Sequence, residues 1–278
     1  MPEVTVQKAD GSKEIFQVAK LRNSLKRAGA SEEEINEIVH AIEPILVDGV
    51  TTEVLYRKAF ELLRQGEKIT AARYSLRRAM IGLGPTGFPF EDYLAELFTA
   101  QGYQTRTRLI LKGKCVSHEI DVLACKDSEC FVAEAKFHMQ PGTKSDMQVV
   151  LYSHARFLDL TAAQSTAKNK RPITHEWVIT NTKFTSTAIQ YAKCVGMNLL
   201  SWDYPRKGNL QDMIEKTRLY PITVLQSLNE REKRALLAQG TVLCSDIIDN
   251  DQILSSVGIP RKKMGGIMEE GARLCTIE

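Results

Sequence analysis

The sequence has no CxxC pair. Its six cysteines, at 115, 125, 130, 194, 244 and 275, are scattered along 278 residues. Without paired spacing they give no zinc ribbon and no disulfide framework, and a reducing cytoplasm is the expected location. Also missing is any apolar run long enough to span a bilayer. Met1-Pro2-Glu3-Val4 lacks the basic-then-apolar pattern of a secretory leader. No membrane partner is therefore expected. Net charge is small: 37 Lys and Arg against 34 Asp and Glu leave +3. Such a balance permits nucleic-acid contact without arguing for it, because local patches decide that question. What is present, 43% hydrophobic and 26% charged residues, fits an ordinary globular protein. The length exceeds the usual single domain, so two or three are expected.

Two Gly/Pro breaks divide the chain. They are Leu83-Gly84-Pro85-Thr86-Gly87 and Pro205-Arg206-Lys207-Gly208-Asn209, giving parts of about 1–85, 86–206 and 207–278. The first part opens with a hairpin: Val4 to Lys8 alternates, Asp10-Gly11 turns, and Glu14-Ile15-Phe16 returns. Leu21, Leu25 and Ala28 then mark a helix that Gly29 ends. Ser31 and Glu34 form a capping box for the next. A third helix begins at Thr52, and a fourth covers Ala71 to Met80.

Several separated motifs here, Val6-Gln7-Lys8-Ala9-Asp10-Gly11, Lys20-Leu21, Ser24-Leu25, Ala28-Gly29, Asp48 to Thr52 and Ala71 to Leu76, resemble those of an ATP-cone domain. The resemblance implies a mostly helical module that binds ATP or dATP as an effector, with Lys8 and Lys20 on the triphosphate. Ala9 stands where the family pattern has an Arg, and a methyl group does not replace a bidentate guanidinium. The alternative is a small helical domain serving dimer contacts, with Lys8 and Lys20 solvated.

The middle part carries the chemistry. A helix from Pro89 to Ala100 presents Phe90, Tyr93, Leu94, Leu97 and Phe98 on one face, with Glu91 at its flank and Asp92 and Glu96 pointing elsewhere. Three strand-like runs follow, about 103–111, 115–124 and 130–138. Alternation places Phe131, Ala133, Ala135 and Phe137 on one face of the third, and Val132, Glu134 and Lys136 on the other. Asp121, near the end of the adjacent strand, reaches the face of Glu134. His118 has the opposite parity and reads as structural, while His138 and His154 lack a partner at metal spacing.

Asp121-x12-Glu134-Ala135-Lys136, with Phe90-Glu91-Asp92-Tyr93-Leu94 before it and Gln148 after it, resembles the PD-(D/E)xK nuclease superfamily, most closely its Mrr-like restriction-endonuclease branch. The resemblance implies an α/β fold, a restriction-endonuclease-like mixed sheet flanked by helices. It implies Mg²⁺ or Mn²⁺ held by Asp121, Glu134 and the backbone carbonyl of Ala135, with Glu91 serving a second ion or a water. Such hard ions take oxygen ligands and keep several waters. Lys136 would orient or deprotonate the attacking water, or neutralise charge on the phosphate, and Gln148 would position it. The competing explanation is a surface salt bridge from Lys136 to Glu134 or Asp121.

The rest of the middle part reads as a helix from Ser145 to Ala163 (Met147, Val150, Leu151, Phe157 and Leu158 inward), a strand at 176–180, a helix at 185–195 and a strand at 197–202. Asn181 to Thr185 resembles the polar loop after this strand in the same family, and contact with the DNA backbone is expected of it. From Leu210 onward the chain reads as a small helical domain. Asn229 caps one helix, and Arg261, Lys262 and Lys263 stand in the first turn of the last, where a phosphate would relieve their conflict with the helix dipole. The expected protein is a metal-dependent DNA endonuclease, a homo-oligomer with ATP or dATP as effector. The alternative is a non-enzymatic nucleotide sensor that binds DNA or mediates oligomerisation.

Overall fold

The computed structural model describes residues 3–164, 171–248 and 250–276. Met1 and Pro2, on which the leader reading partly rests, lie outside the described residues. The N-terminal module begins with β1 (Thr5–Gln7) and β2 (Lys13–Ile15), paired antiparallel. Asp10 holds the turn by accepting from the Ser12 N–H and hydroxyl at 3.1 and 2.5 Å, and Gly11 takes φ 79°. Helix α1 (Val18–Ala28) ends at Gly29, whose φ of 95° lets the last carbonyls find N–H donors. Helix α2 (Glu32–Ile42) starts with the expected capping box between Ser31 and Glu34. A short β3 (Val50–Thr51), which no alternation announces, pairs parallel with β1. Helix α3 (Thr52–Gly66) follows, capped by Thr51.

The helix expected from Ala71 to Met80 is instead two, α4 (Lys68–Tyr74) and α5 (Leu76–Ile81). The break falls at Ser75, whose hydroxyl donates to the Ala72 carbonyl at 2.8 Å and so competes with the helix ladder. Val6, Leu25, Ile35, Ile38, Leu55 and Leu63 fill the core of this module.

The middle part contains α6 (Phe88–Thr99), β4 (Gln104–Lys112), β5 (Ser117–Lys126), β6 (Glu129–Lys136), β7 (Lys144–Ser145), α7 (Met147–Gln164), β8 (Ile173–Thr180), β9 (Lys183–Phe184), α8 (Ser186–Val195) and β10 (Asn198–Leu200). The main sheet has the order β10-β8-β6-β5-β4. Its β10–β8 and β8–β6 pairs are parallel and the other two antiparallel, so the sheet is mixed and helices cover it. Alternation sorts the faces. Val122, Ala124, Phe131, Ala133, Ala135 and Ile179 pack with α6 residues Phe90, Leu94 and Phe98. On the other face Val150 and Val178 join α8, and Val132 and Leu160 join Ile120. Two of the residues expected to point inward from α7 do not: Leu151 and Leu158 are exposed. Buried Ser153 and Arg156 show that the inward face is rotated from the apolar one.

A further correction concerns the cysteines. Cys125 and Cys130 form a disulfide. They are directly opposed in the β5–β6 ladder, a relation that a search for CxxC spacing does not test.

The C-terminal helices are α9 (Leu210–Thr217), α10 (Glu230–Ala238), α11 (Asp251–Ser256) and α12 (Arg261–Cys275). Their apolar residues, among them Leu210, Leu236, Leu254 and Ile267, belong to the same cluster as α5, α6 and the sheet. Polar contacts reinforce the joint. The Thr223 hydroxyl donates to Ala79 O at 2.6 Å, and buried Glu270 accepts from the N–H groups of Gln226 and Ser227 at 2.7 and 2.9 Å. Among the described residues no helix is long and apolar enough to cross a membrane.

Tyr93 of α6 is fully buried and donates its hydroxyl to Leu219 O at 2.7 Å. Tyr93→Phe keeps the packing and removes this bond. Urea unfolding should show a loss of about 1 kcal/mol with an unchanged m value.

Candidate active site

The site forms where the sheet splits. The β5–β6 ladder runs from Lys126 opposite Glu129 up to Val122 opposite Ala133. One step further the strands part, and the Asp121 carboxylate takes the place of the strand: it accepts from the Ala135 N–H at 2.7 Å. Meanwhile β6 stays paired with β8 as far as Lys136 opposite Thr180. On the other edge of β5, pairing passes from Thr107–Val122 to Leu109–Ile120 and skips Arg108, which has φ 53°. A non-glycine residue held there costs about 1–3 kcal/mol, a strain that tends to collect at functional sites.

Three carboxylates share this region. Glu91 enters from the first turn of α6 and is only 7% exposed. Its pKa is pushed up to about 7, chiefly by burial and then by the charge of Asp121, while Arg108 opposes the rise. Asp121 is also raised by burial, against the pull of the Ala135 N–H. Burial and Asp121 raise Glu134, against the pull of Arg156. Glu91 and Glu134 therefore both lie within reach of the charge of Asp121.

Cations answer them. Arg156 of α7 donates to Glu134 Oε2 at 2.6 Å and to the Tyr152 hydroxyl. Arg108 donates to Glu91 at 3.3 Å and to Asp92 at 2.8 Å. Asp92 therefore faces the site rim, contrary to the helix-spacing expectation. Lys136 is exposed, and its charge favours the ionised forms of Asp121 and Glu134. The salt-bridge explanation of the triplet thus names the wrong partner, since Glu134 pairs with Arg156.

Oxygen donors of Asp121 and Glu134 suit a hard divalent cation. Among the described residues, however, no three His, Cys, Asp or Glu side chains converge closely enough to hold a metal by themselves. Any ion here needs backbone oxygen or water to complete its shell.

Gln148 lies exposed in the first turn of α7, its N–H donating to Asp146 at 3.0 Å. It is not brought into hydrogen bonding with the triplet. Arg108, Asp92 and Arg156 were missed by sequence reasoning. For Arg156 a signal existed: Gln148, Tyr152 and Arg156 recur every four residues along one helix face.

The histidines serve structure. His118 meets Asp159 at 2.8 Å, and Asp159 also accepts from the N–H groups of Cys115 and Val116 at 2.8 and 3.2 Å. These bonds fasten α7 to the start of β5 and so set the height of Arg156 over Glu134. His154 pairs with buried Glu176 at 2.5 Å. His138 is held by Ser145 through its ring at 2.9 Å. The polar loop after β8 is corrected as a DNA contact: Asn181 and Thr182 are fully buried. Asn181 clamps the His138 backbone with two 2.8 Å bonds, and Lys183 pairs with Asp203.

In the N-terminal module Lys8 and Lys20 are brought together. Both approach Glu14 Oε2, at 2.6 and 3.0 Å, and Lys8 leads in holding that carboxyl below its ordinary range. At the C-terminal end Arg261 and Lys262 are exposed, whereas Lys263 pairs with Glu232, the capping-box residue of α10.

Comparison with known proteins adds two family matches. Residues 4–80 match the ATP cone domain, and residues 220–275 match the C-terminal domain of AF1548-like proteins. An uncharacterised protein of Archaeoglobus fulgidus is 35% identical over 182 residues, which are 65% of this chain and 99% of that protein. A crystal structure of a protein of unknown function, AF1548, aligns at 32% identity with a TM-score of 0.56, covering 68% of this chain and 98% of the other.

Asp159 supplies a pH test. His118 and the neighbouring N–H groups hold its pKa well below the ordinary carboxylate value of 3.8. A lowered folded-state value means that the ionised form stabilises the fold: the effect is complete above 3.8 and drains away as pH falls below it. Asp159→Ala should lower the melting temperature at pH 7, and the gap to wild type should narrow as melting is followed from pH 4 downward.

Proposed function

We propose, for a chain that belongs to the AF1548-like family and carries an ATP cone at its N-terminus, the activity of a metal-dependent DNA endonuclease with a nucleoside triphosphate as effector. Its sheet is read as restriction-endonuclease-like, of the PD-(D/E)xK and Mrr-like type. The observation that carries this reading is the fork at Asp121. One carboxylate is hooked on the Ala135 N–H at 2.7 Å, with Glu134 and Lys136 on either side of that residue and Glu91 near enough to feel its charge.

In an extended strand a residue's N–H and C=O point to the same edge. The Ala135 carbonyl therefore faces the gap that Asp121 occupies. Asp121, Glu134 and this carbonyl would hold Mg²⁺ or Mn²⁺, and the charge of half-buried Asp121 on half-buried Glu134 favours a cation there. When bound, the ion supplies Lewis-acid charge at the scissile phosphate and a nucleophile near neutral pH. The residues of the chain supply the rest. Lys136 orients the attacking water, takes its proton, or balances the phosphate charge. Glu91, with a pKa of about 7, holds or releases a proton in the working range and positions a water or a second ion. Gln148, exposed in the first turn of α7, would serve as a positioning residue, and Arg156 balances the charge of Glu134.

A second reading has its own support. Arg156 on Glu134 and Arg108 on Glu91 and Asp92 already give three of the carboxylates a cation. A nucleotide sensor that binds DNA or mediates oligomerisation would keep such pairs without cutting.

The test is cleavage of plasmid, linear and branched DNA in Mg²⁺ or Mn²⁺. Wild type should cut, and Asp121→Ala and Lys136→Ala should each lose about a hundredfold or more. Equal cutting by the variants overturns the site. No cutting with either metal, together with an ATP-dependent change of oligomeric state, favours the second reading.

A further inference from the structure

We propose that Lys144, in the segment following the candidate active site, is a third cation of the nucleotide site, so that the triphosphate binds across the seam between the β1–β2 hairpin and that segment. This rests on the nucleotide-effector half of the proposed function and not on nuclease activity. Lys144 Nζ lies 3.3 Å from Asp10 Oδ2, and Asp10 is two residues from Lys8 in one tight turn, where Gly11 N donates to Lys8 O. The approach is built into the backbone. A Cβ added at Gly142 would stand 2.7 Å from Ala9 C, Ala9 O and Asp10 N, so only glycine lets the two main chains touch.

The lysine is presented by an ordered element. Lys144 and Ser145 form β7, paired parallel with β9, and Ser145 O accepts from Thr185 N at 3.0 Å. Its side chain remains 45% exposed, within reach of a ligand.

The surroundings call for an anion. Lys8 and Lys20 crowd one oxygen of Glu14. Helix α1 begins without a side-chain cap from Gln17 and without an acidic residue in its first turn, which holds Lys20 instead. An uncapped N-terminus with a cation in its first turn is electrostatically unfavourable until an anion settles there. Glu14 and Asp10 now act as local counter-ions. A triphosphate offers more charge and more acceptor oxygens than either carboxylate and would draw the three lysines to itself.

The consequence is a path. The same segment begins at Lys136. Phe137 packs on Gly84, where an added Cβ would meet its ring at 2.9 Å, and on Phe90 of α6, the helix of Glu91. Asn181 fixes His138. A nucleotide that holds Lys144 therefore restrains one end of a segment whose other end is Lys136.

The experiment is calorimetric titration of the full chain with Mg-ATP, for wild type and for Lys8→Ala, Lys144→Ala, Lys144→Arg and Asp10→Asn. Lys8→Ala and Lys144→Ala should each weaken binding about tenfold or more. Lys144→Arg should recover most of it, and Asp10→Asn, which frees Lys144, should bind at least as tightly as wild type. Hydrogen exchange at 139–146 should slow with ATP in wild type and not in Lys144→Ala. If Lys144→Ala binds like wild type while Lys8→Ala does not, Lys144 only latches two domains and the proposal falls while the nucleotide reading stands. The proposal also falls if Asp10→Asn weakens binding as Lys144→Ala does, because breaking the latch is then what matters. If wild type binds no ATP, both fall.

Discussion

The bond from the Ala135 N–H to the Asp121 carboxylate is the constraint around which the middle of the molecule is arranged. A backbone N–H on the central β6 must find an acceptor once β5 turns away. Asp121 supplies it, and in doing so places a carboxylate where a backbone carbonyl would otherwise sit. Glu91 and Glu134 are pushed toward protonation, chiefly by burial and then by the charge of Asp121, Arg156 and Arg108 come from different elements to pair with them, and Lys136 stands open to solvent. The fork is thus a structural necessity and a chemical opportunity at once.

The charge arrangement is held from outside. Arg156 is buried on α7, and α7 is fixed over β5 through Asp159. Glu91 is carried by α6, whose buried face is continuous with the C-terminal helices. Neither flanking part is therefore a mere appendage: α5 and α6 join the N-terminal module, the sheet and the last helices in one apolar cluster.

Much of this was legible in the sequence because it is local. Capping at Ser31, termination at Gly29 and the face-sorting of β6 follow from spacing alone, and the structure reproduces them. The Asp121, Glu134 and Lys136 placement was likewise readable from strand parity. What escaped depends on contacts between distant segments. The split at Ser75 arises from one hydroxyl. The inward face of α7 includes Ser153 and Arg156, the latter turned in onto half-buried Glu134, so apolar periodicity puts Leu151 and Leu158 on the wrong side. Asn181 reads as an exposed polar loop residue, yet its amide has both ends satisfied by the His138 backbone, and a satisfied amide can be buried.

The hairpin disulfide also matters to the fork. Cys125 and Cys130 are facing residues of the β5–β6 ladder, so a bond between them permits only one register. In a strand pair a slip of one residue sends each side chain to the opposite face. Here it would also move Asp121 away from the Ala135 N–H. The loop enclosed is short, so the chain-entropy gain is at the low end for a disulfide, about 2 kcal/mol. Its value is metrological: at one end of the hairpin it fixes the count of residues by which, at the other end, a carboxylate meets its amide.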